Sequence, residues 1–588
     1  YNTMARTIIA ILAVLATILP ARSTINHVEQ FDRGSLSLST DTLGNHQSTR
    51  VLMSALQAVT TPGEYAIPMK TIAFSVPFDA VEIEISVNSS SEETISLPNP
   101  VSYNLNDFDP QMAYDPKAVT IRAEIGHVGY LDGINKIVSV NLYPVNVSKN
   151  GLSIVFAKRI SIDLTWQTGD VFTENSLQPI VPSHITKDVF RRAKNLVANP
   201  EDVENNVSGL PVPLTTDQED YDYIIITPQR FCKALERLAA LRRLKGFGAK
   251  VFPLEQVLNL PASRNGDQLS GINDDAGKIR AFLQYAYSAF NTRYVLFAGK
   301  YPEMPIRQFT NLPGLFVHDN PSDLYFADLN SSWAKFIDGA TGPKIEADGL
   351  NELYIGRIPF ETEDEINTYI DKLVIYELNP GCGNTGYLGN ALLSRQIDDI
   401  DMNYFFSDAN ISEFTSLFGS NLLDLTFKDG FPTGKDVVST INSSPCVVHN
   451  FIGHGNPGGV AVGGGYGLCA LDEDDSFHNY ETGNGLENLT NYNYPSWTYS
   501  MSCTLMPFDI YTESGGHTYN IRKNFGESYL LNPGGGVAMV GYTRPEYCSS
   551  GKASMRDFFA KLRQSVDGGL EANLGTGLMY ETNCTTYG

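Results

Sequence analysis

The sequence predicts an all-β region followed by an α/β region with a mainly parallel sheet. Alternating β-branched and aromatic residues dominate the first region, whereas short apolar runs alternate with helical patterns in the second. All seven Cys lie at or beyond Cys232, so composition changes along the chain together with the pattern. We therefore expect a β-rich part over 24–214, including a linker, and an α/β part over 215–588.

The charge balance excludes one large class of partners. The chain carries 42 basic and 66 acidic residues, a net charge of −24. Because phosphate binding needs a cationic face, we expect no nucleic acid as partner. The hydrophobic content of 42% is that of an ordinary globular protein and argues against wholesale disorder.

Residues 1–23 have the pattern of an export signal. Arg6 supplies a positive start, the run Ile8–Leu19 is mostly apolar, and Ala21–Ser23 resembles a small-residue cleavage site. A membrane span needs about 20 apolar residues, so this run is too short. No other apolar stretch is long enough, and the sequence predicts no transmembrane segment.

The first region reads as the strands of a sandwich or barrel. Its strand candidates are VEIEISV, KAVTIRAEIGHVGYL, KIVSVNLYPV and LSIVFAKRISIDLTW. A polar linker is expected over 199–219, where large apolar residues are scarce. Just upstream, the basic run 191–194 is a candidate cleavage site for a trypsin-like protease.

The second region alternates strands with amphipathic helices, which predicts a parallel sheet covered on both faces. Its strand candidates are DYIIIT, AKVFPL, RYVLFAG, ELYIGRI, ALLS, LLDLTF, CVVHNFIG, WTYSMSC and GVAMVG. Its helix candidates are FCKALERLAALRRLKG, DDAGKIRAFLQYAYSAF, ETEDEINTYIDKLVIYE, GKDVVSTINSS and SMRDFFAKLRQSV.

Two strand ends carry reactive side chains. In sheets of this kind ligands bind beyond the carboxyl ends of the strands. His454 follows one predicted strand, and Cys503 follows another. Paired His and Cys are the minimum for thiol catalysis, because the imidazole takes the thiol proton and the thiolate attacks an acyl carbon. The alternative is a small buried Cys and an ordinary glycine turn.

Other chemistries fit the sequence less well. His449 and His454 stand an odd number of residues apart on an extended strand and face opposite sides, so no metal site is predicted there. Calcium is the candidate structural ion, since the acidic segments 347–352 and 471–477 offer oxygen ligands. Neither segment matches the twelve-residue helix–loop–helix pattern, so a charged surface loop is the preferred interpretation of both. No phosphate-binding loop is present, and the Gly-rich stretch 455–467 is predicted to be a mobile loop over the site.

The second region resembles the gingipain-type cysteine peptidases, which have a caspase-like fold. The similarity runs in chain order from about residue 220 to near the C-terminus. Its segments are DYIIITPQRFCKALERLAALRRLKG, RYVLFAGKYPEMPIR, DLYFADLNSSW, ELYIGRIPFETEDEINTYIDKLVIYE, FIGHGN, YSMSCTLMPFD and FGESYLLNPGGGVAMVGYTR. The β-rich first region is similar to the pro-domain of that family.

The resemblance implies catalytic roles for two residues. Cys503 matches the position of the nucleophile and His454 that of the general acid/base. The backbone N–H groups of Gly455 and Cys503 match the oxyanion donors. The family orients its His with an acid after the strand equivalent to ALLS. No Glu is present there, and Asp398 or Asp399 is the candidate.

The substrate pocket is predicted less sharply. Basic specificity in the family uses a buried Asp near the same segment, which makes Asp401 and Asp408 candidates. A solvated acidic loop is the alternative. Tyr542 and Tyr547 follow a strand and are candidate pocket walls, although aromatic residues at strand ends more often belong to the core.

The resemblance therefore implies a cysteine endopeptidase secreted by a bacterium, or held on its surface, as a zymogen. Its partners are protein or peptide substrates and its own pro-domain acting as inhibitor, and no cofactor is required. The expected final strand and following domains are missing after residue 588, so the peptidase domain is predicted to be C-terminally truncated. The alternatives are a catalytically silent adhesion protein of the same fold and a peptidase without basic preference.

Overall fold

The computed structural model divides the chain into two compact units. One comprises 1–130, 134–179 and 187–210, and the other comprises 131–133, 180–186 and 211–588. The structure describes residues 23–567 except for 44–45, 55, 59–63, 104–116, 173–176, 211–219, 311–319, 343–347, 398–401, 403–405, 409–410, 464–466, 470–482, 508, 510–512, 515–516, 519–522 and 546–547. The predicted export signal therefore lies almost wholly outside the described residues.

The first unit is built mainly of antiparallel strands, as its sequence predicts. The strands β1 to β10 are Ser23–Gln30, Leu36–Leu43, His46–Met53, Gln57–Ala58, Pro68–Ser75, Ala80–Ser96, Ala123–Leu131, Asn135–Leu142, Val145–Val147 and Ser153–Thr168. Strands β1, β10 and β6 form one sheet with β9 beside β10, strands β4, β5, β8 and β7 form a second, and β2 pairs with β3.

Strand β10 shows how sequence alternation produces this unit. Ile160, Ile162 and Leu164 are buried, while the residues between them are half-buried. Every second side chain of a strand points to the same face, so this pattern places one face of the sheet in the core. The predicted segment LSIVFAKRISIDLTW is therefore one continuous strand.

Two features of the first unit add to its predicted strands. Helices α1 (Lys187–Leu196) and α2 (Val203–Asn206) lie in the region predicted to be all-β. The predicted linker 199–219 is folded over 199–210, where Val203 and Leu210 are buried. These few apolar residues anchor a segment whose overall polarity predicted a linker; the remainder, 211–219, lies outside the described residues.

The second unit contains two parallel sheets. The first has the order β12, β11, β13, β16 and the second the order β18, β17, β19, β23, β26. Their strands are β11 Tyr223–Thr227, β12 Ala249–Pro253, β13 Tyr294–Ala298, β16 Tyr354–Ile358, β17 Ala391–Arg395, β18 Leu422–Thr426, β19 Val448–Ile452, β23 Ser496–Met501 and β26 Gly536–Val540. These strands confirm the predicted α/β class.

Short strands and helices complete the second unit. The short strands are β14 Gln308–Phe309, β15 Asn320–Pro321, β20 Gly455–Asn456, β21 Gly459–Ala461, β22 Gly467–Cys469, β24 Glu513–Ser514 and β25 His517–Thr518. The helices are α3 Cys232–Leu244, α4 Leu254–Val257, α5 Asp275–Phe290, α6 Leu324–Ala327, α7 Glu363–Leu378, α8 Ser412–Phe418, α9 Gly434–Ser443, α10 Phe525–Leu531 and α11 Cys548–Asp567.

Helix α7 joins the two parallel sheets. It begins with a capping box. The Thr362 side chain accepts a hydrogen bond from the backbone N–H of Glu365, and the Glu365 side chain accepts one from the backbone N–H of Thr362. Its Leu373 belongs to a hydrophobic core that also contains Leu296 of β13 and Val537 of β26. One apolar core therefore packs against both sheets.

Among the described residues, no helix combines the length and the apolar character that crossing a membrane requires.

Candidate active site

The candidate active site lies at the carboxyl ends of two adjacent strands. Strands β19 and β23 run parallel, and Ile452 of β19 is paired with Met501 of β23. His454 and Cys503 each stand two residues beyond that pair, so the two segments leave the sheet at the same level. Every residue of both strands is buried, whereas the His454 side chain is exposed and Cys503 is half-buried.

Several hydrogen bonds hold the backbone around His454. The His454 N–H donates to Oε1 of Gln396 at 3.0 Å. The His454 carbonyl accepts from the N–H of Ala461 at 2.8 Å, and the N–H of Gly453 donates to the carbonyl of Met501 at 3.3 Å. Three separate elements therefore hold this turn, while the imidazole points toward the solvent-accessible edge.

The glycines beside His454 permit close backbone approach. A Cβ at Gly455 would lie 2.8 Å from the carbonyl oxygen of Cys503 and 2.9 Å from Cβ of Ser502. A Cβ at Gly453 would lie 2.2 Å from the carbonyl oxygen of Ala461. Neither position accommodates a side chain without rearrangement. The contact at Gly455 also shows that the His454 and Cys503 segments touch.

The backbone makes an unusual turn directly after Cys503. Thr504 has a φ of 53°, in the left-handed region that non-glycine residues rarely occupy. The N–H of Thr504 donates to the carbonyl of Arg544 at 3.3 Å, and the N–H of Met506 donates to the carbonyl of Tyr542 at 3.1 Å. Such conformations persist where the surrounding structure fixes them, and they cluster at functional sites.

The described residues of the Gly-rich stretch form strands, which contradicts the predicted mobile loop. Strands β20, β21 and β22 form a small antiparallel sheet within 455–469. Val460 and Leu468 are buried and pair with each other across that sheet. Two apolar residues among the glycines thus anchor the stretch in a hydrophobic core that also contains Leu392 of β17 and Phe451 of β19.

The comparison with known protein families assigns the chain. A family model described as Peptidase family C25 matches residues 216–586, more than half of the sequence. The chain belongs to this family. It is therefore a cysteine-type endopeptidase of the gingipain family, with the caspase-like α/β fold that the sequence predicts.

Solved gingipain structures are similar to this C25 peptidase. The Arg-specific cysteine proteinase gingipain R is 16% identical in sequence. The superposed region spans 63% of this chain and 73% of the gingipain R chain, with a TM-score of 0.44. The complex of RgpB pro- and mature domains from Porphyromonas gingivalis is 17% identical, with coverages of 61% and 76% and a TM-score of 0.41. No curated protein sequence matches the chain.

Several predicted site residues of the C25 peptidase lie outside the described residues: Asp398, Asp399, Asp401 and Tyr547. The other two candidate pocket residues, Asp408 and Tyr542, lie within the described part of the chain. Asp408 is exposed and paired with Arg395. Tyr542 is buried in the hydrophobic core beside the five-stranded sheet, which favours the core interpretation of this residue.

The sequence analysis missed Gln396, which contacts the backbone of His454. It directly follows β17, the neighbour of β19. The rule that ligand sites lie at the carboxyl ends of parallel strands applies to β17 as well. The resemblance implies an acid after β17, and nothing in the sequence marks an amide at the same place as a contact of His454.

An ion pair near the nucleophile segment was also missed. Arg544 Nη1 donates to Oδ1 of Asp509 at 3.0 Å, and Gln308 donates to the other oxygen of Asp509 at 2.8 Å. Both charged side chains are almost completely buried. The Arg544 carbonyl accepts from the N–H of Thr504, so the ion pair of Arg544 and Asp509 fixes one side of the segment that contains Cys503.

The calcium prediction is neither confirmed nor contradicted. Among the described residues, no three His, Cys, Asp or Glu side chains are grouped so that they could hold a metal ion. In the segment 347–352, burial raises the pKa of Glu352 well above its usual range, and nearby Asp348 and Asp328 add to that effect. The segment 471–477 lies outside the described residues.

Proposed function

We propose that this C25 peptidase cleaves peptide bonds with Cys503 as nucleophile and His454 as general acid/base. The observation that supports this assignment is the matched register of β19 and β23 at Ile452 and Met501. It brings the two segments out of the sheet side by side. The half-buried Cys503 and the exposed His454 leave both groups within reach of a bound peptide.

The reaction is acyl transfer through a covalent intermediate. The imidazole of His454 takes the thiol proton, and the Cys503 sulfur attacks the carbonyl carbon of the scissile bond. The negative charge that develops on the carbonyl oxygen is stabilised by the N–H groups of Gly455 and Cys503. His454 then gives its proton to the leaving amine, and water releases the acyl group from sulfur.

The third catalytic group is an acid after β17. We propose Asp398 or Asp399, which follow Gln396 along the chain. A carboxylate next to the imidazole fixes its orientation and stabilises its protonated form. Substituting each Asp separately by Asn distinguishes them, because only the substitution of the orienting acid is expected to lower kcat.

The residue preference at the cleaved bond has two candidates. A basic preference requires a carboxylate facing the pocket, and Asp401 or Asp408 would provide it. The pairing of Asp408 with Arg395 favours Asp401 or, alternatively, a preference for non-basic residues. A peptide library varied at the residue before the cut decides between these preferences.

The first unit is proposed to be a pro-domain that inhibits the peptidase in a secreted zymogen. Its separate compactness and its β-rich construction are consistent with a part that is removed after folding. Residues 1–23 are proposed to direct export. Calcium is proposed as a structural ion at the acidic segments, and a rise in melting temperature on adding CaCl₂ would support it.

The decisive experiment replaces Cys503 by Ala in the full chain. We expect the loss of peptide hydrolysis and of alkylation at this position, with an unchanged melting temperature. A control substitution of the exposed Cys382 by Ala is expected to leave hydrolysis intact. Hydrolysis that survives Cys503→Ala contradicts the mechanism and favours another nucleophile. The absence of hydrolysis in the activated wild-type protein favours the silent adhesion protein.

A further inference from the structure

Gln396 occupies the carboxyl end of β17, at the edge of the sheet where His454 and Cys503 lie. Its backbone N–H donates to the carbonyl of Ile452 at 2.8 Å and so continues the pairing of β17 with β19 beyond Arg395. Gln396 is only 8% exposed. Its side chain is therefore confined between the sheet and the turn that contains His454.

The amide of Gln396 reaches the backbone of the catalytic histidine. Its Oε1 accepts from the His454 N–H at 3.0 Å. On the other side, the His454 carbonyl accepts from Ala461 at 2.8 Å. Both backbone polar groups of His454 are thus hydrogen-bonded to different elements, and the exposed imidazole depends on this backbone for its position.

Gly453 makes the approach of Gln396 possible. A Cβ at this position would lie 3.3 Å from Oε1 of Gln396 and 2.2 Å from the carbonyl oxygen of Ala461. The absence of a side chain lets both acceptors come close to the turn. The amide at 396 and the glycine at 453 therefore act together on the same short segment.

We propose that Gln396 is a positioning residue for catalysis, which holds the turn of His454 so that its imidazole meets the thiol of Cys503. This proposal rests on the proposed catalytic role of His454. Gln396 takes no proton and contacts no reacting atom. Its effect is geometric, because a displacement of about 1 Å at a reacting group costs on the order of 100-fold in rate.

The test compares two substitutions of similar size in the activated enzyme. Gln396→Met removes the acceptor, whereas Gln396→Glu keeps an oxygen that accepts the same N–H. We expect Gln396→Met to lower kcat by about 10- to 100-fold with little change in KM. The rate at which iodoacetamide alkylates Cys503 at neutral pH should fall as well, because the imidazole is less well placed to take the thiol proton. Gln396→Glu should restore most of both rates.

Gln284→Met is the matched control. Gln284 is half-buried on α5 and donates one side-chain hydrogen bond to the carbonyl of Leu329 at 2.8 Å. The same chemical change there removes one buried hydrogen bond far along the chain from the site. We expect it to affect the melting temperature without affecting kcat or alkylation.

Three results would overturn the proposal. The first is a Gln396→Met enzyme with wild-type kcat and alkylation rate. The second is equal loss of kcat in Gln396→Met and Gln284→Met, which would indicate general destabilisation. The third is a Gln396→Glu enzyme that folds and yet remains as slow as Gln396→Met. Hydrolysis that persists in Cys503→Ala would instead refute the proposed function, so the two failures are distinguishable.

Discussion

The guanidinium of Arg395 holds the carboxylate of Asp408, with Nη2 and Oδ1 2.7 Å apart. The Arg395 side chain is 4% exposed and that of Asp408 is 93% exposed. Arg395 also donates to the carbonyl of Phe406 and to the hydroxyl of Thr426. Asp408 is therefore already paired with a buried cation that has other acceptors. A basic substrate side chain would have to compete with Arg395 for this carboxylate.

We accordingly expect Asp408→Asn to change kcat/KM for peptides with Arg or Lys before the cut by less than about threefold. Asp408 itself is exposed, and Arg395 keeps the Phe406 carbonyl and the Thr426 hydroxyl as acceptors, so the melting temperature should change little. Steady-state kinetics on peptides that differ only in that residue provide the measurement, and Asp401→Asn is the parallel variant. A large loss confined to basic substrates in Asp408→Asn would instead make Asp408 the pocket acid.

Gly455→Ala should abolish most of the activity. The added Cβ would lie 2.8 Å from the Cys503 carbonyl oxygen, so one of the two segments has to move. A shift there displaces a proposed oxyanion donor, whose loss costs about 100- to 1,000-fold in kcat. Gly386→Ala is the control, because a Cβ there has no neighbour closer than 3.6 Å. Equal kcat in both variants would show that the contact at Gly455 is unimportant.

The sequence predicted the strands on which the site lies, but it did not predict the contacts between residues within the site. β19 (VHNFI) and β23 (SWTYSM) are rich in β-branched and aromatic residues, which favour strands, and every residue of both is buried. Register, by contrast, arises from pairing between segments far apart in sequence. For the same reason the sequence did not predict the hydrogen bond between Gln396 and His454, which lie 58 residues apart.

Lys372→Met should destabilise the peptidase domain. The buried Nζ of Lys372, on α7, lies within hydrogen-bonding distance of four backbone carbonyls near the end of α10 and beyond it, those of Leu530, Asn532, Gly534 and Gly536. Leaving buried acceptors unsatisfied costs about 1–3 kcal/mol each, although relaxation recovers part of it. Urea unfolding measures the loss, with Lys233→Met on the exposed face of α3 as control. Equal unfolding midpoints for the two variants would refute this role of Lys372.

His449 should make the domain sensitive to acid. Burial lowers the pKa of His449 to about 3, and its Nδ1 lies 3.1 Å from the Tyr529 hydroxyl. The unfolded chain binds this proton near pH 6.5, so between that value and about pH 3 it holds more protons than the folded state. Stability therefore falls as the pH decreases through this window.

Replacing His449 by Gln tests this sensitivity, because an amide oxygen can accept from Tyr529 without titrating. We expect the unfolding free energy of His449→Gln to fall less steeply between pH 6.5 and 4 than that of wild type. Parallel curves for wild type and His449→Gln would show that another group causes the acid sensitivity.

The activation cut should not follow a basic residue. The sequence contains no Lys or Arg between Lys194 and Arg230, and the boundary of the two compact units falls within that interval, after residue 210. The basic residues upstream, Arg191 and Arg192, lie within α1. A protease binds its substrate as an extended strand, so a helix has to unfold locally before it can be cut. We therefore expect the mature enzyme to begin between 211 and 222, after the first unit and before β11. N-terminal sequencing of the activated protein measures this directly, and Arg191→Gln/Arg192→Gln should activate at the wild-type rate. A mature N-terminus that directly follows Arg191, Arg192 or Lys194 would show that α1 opens readily and that a basic-specific protease, this enzyme or another, performs the cut.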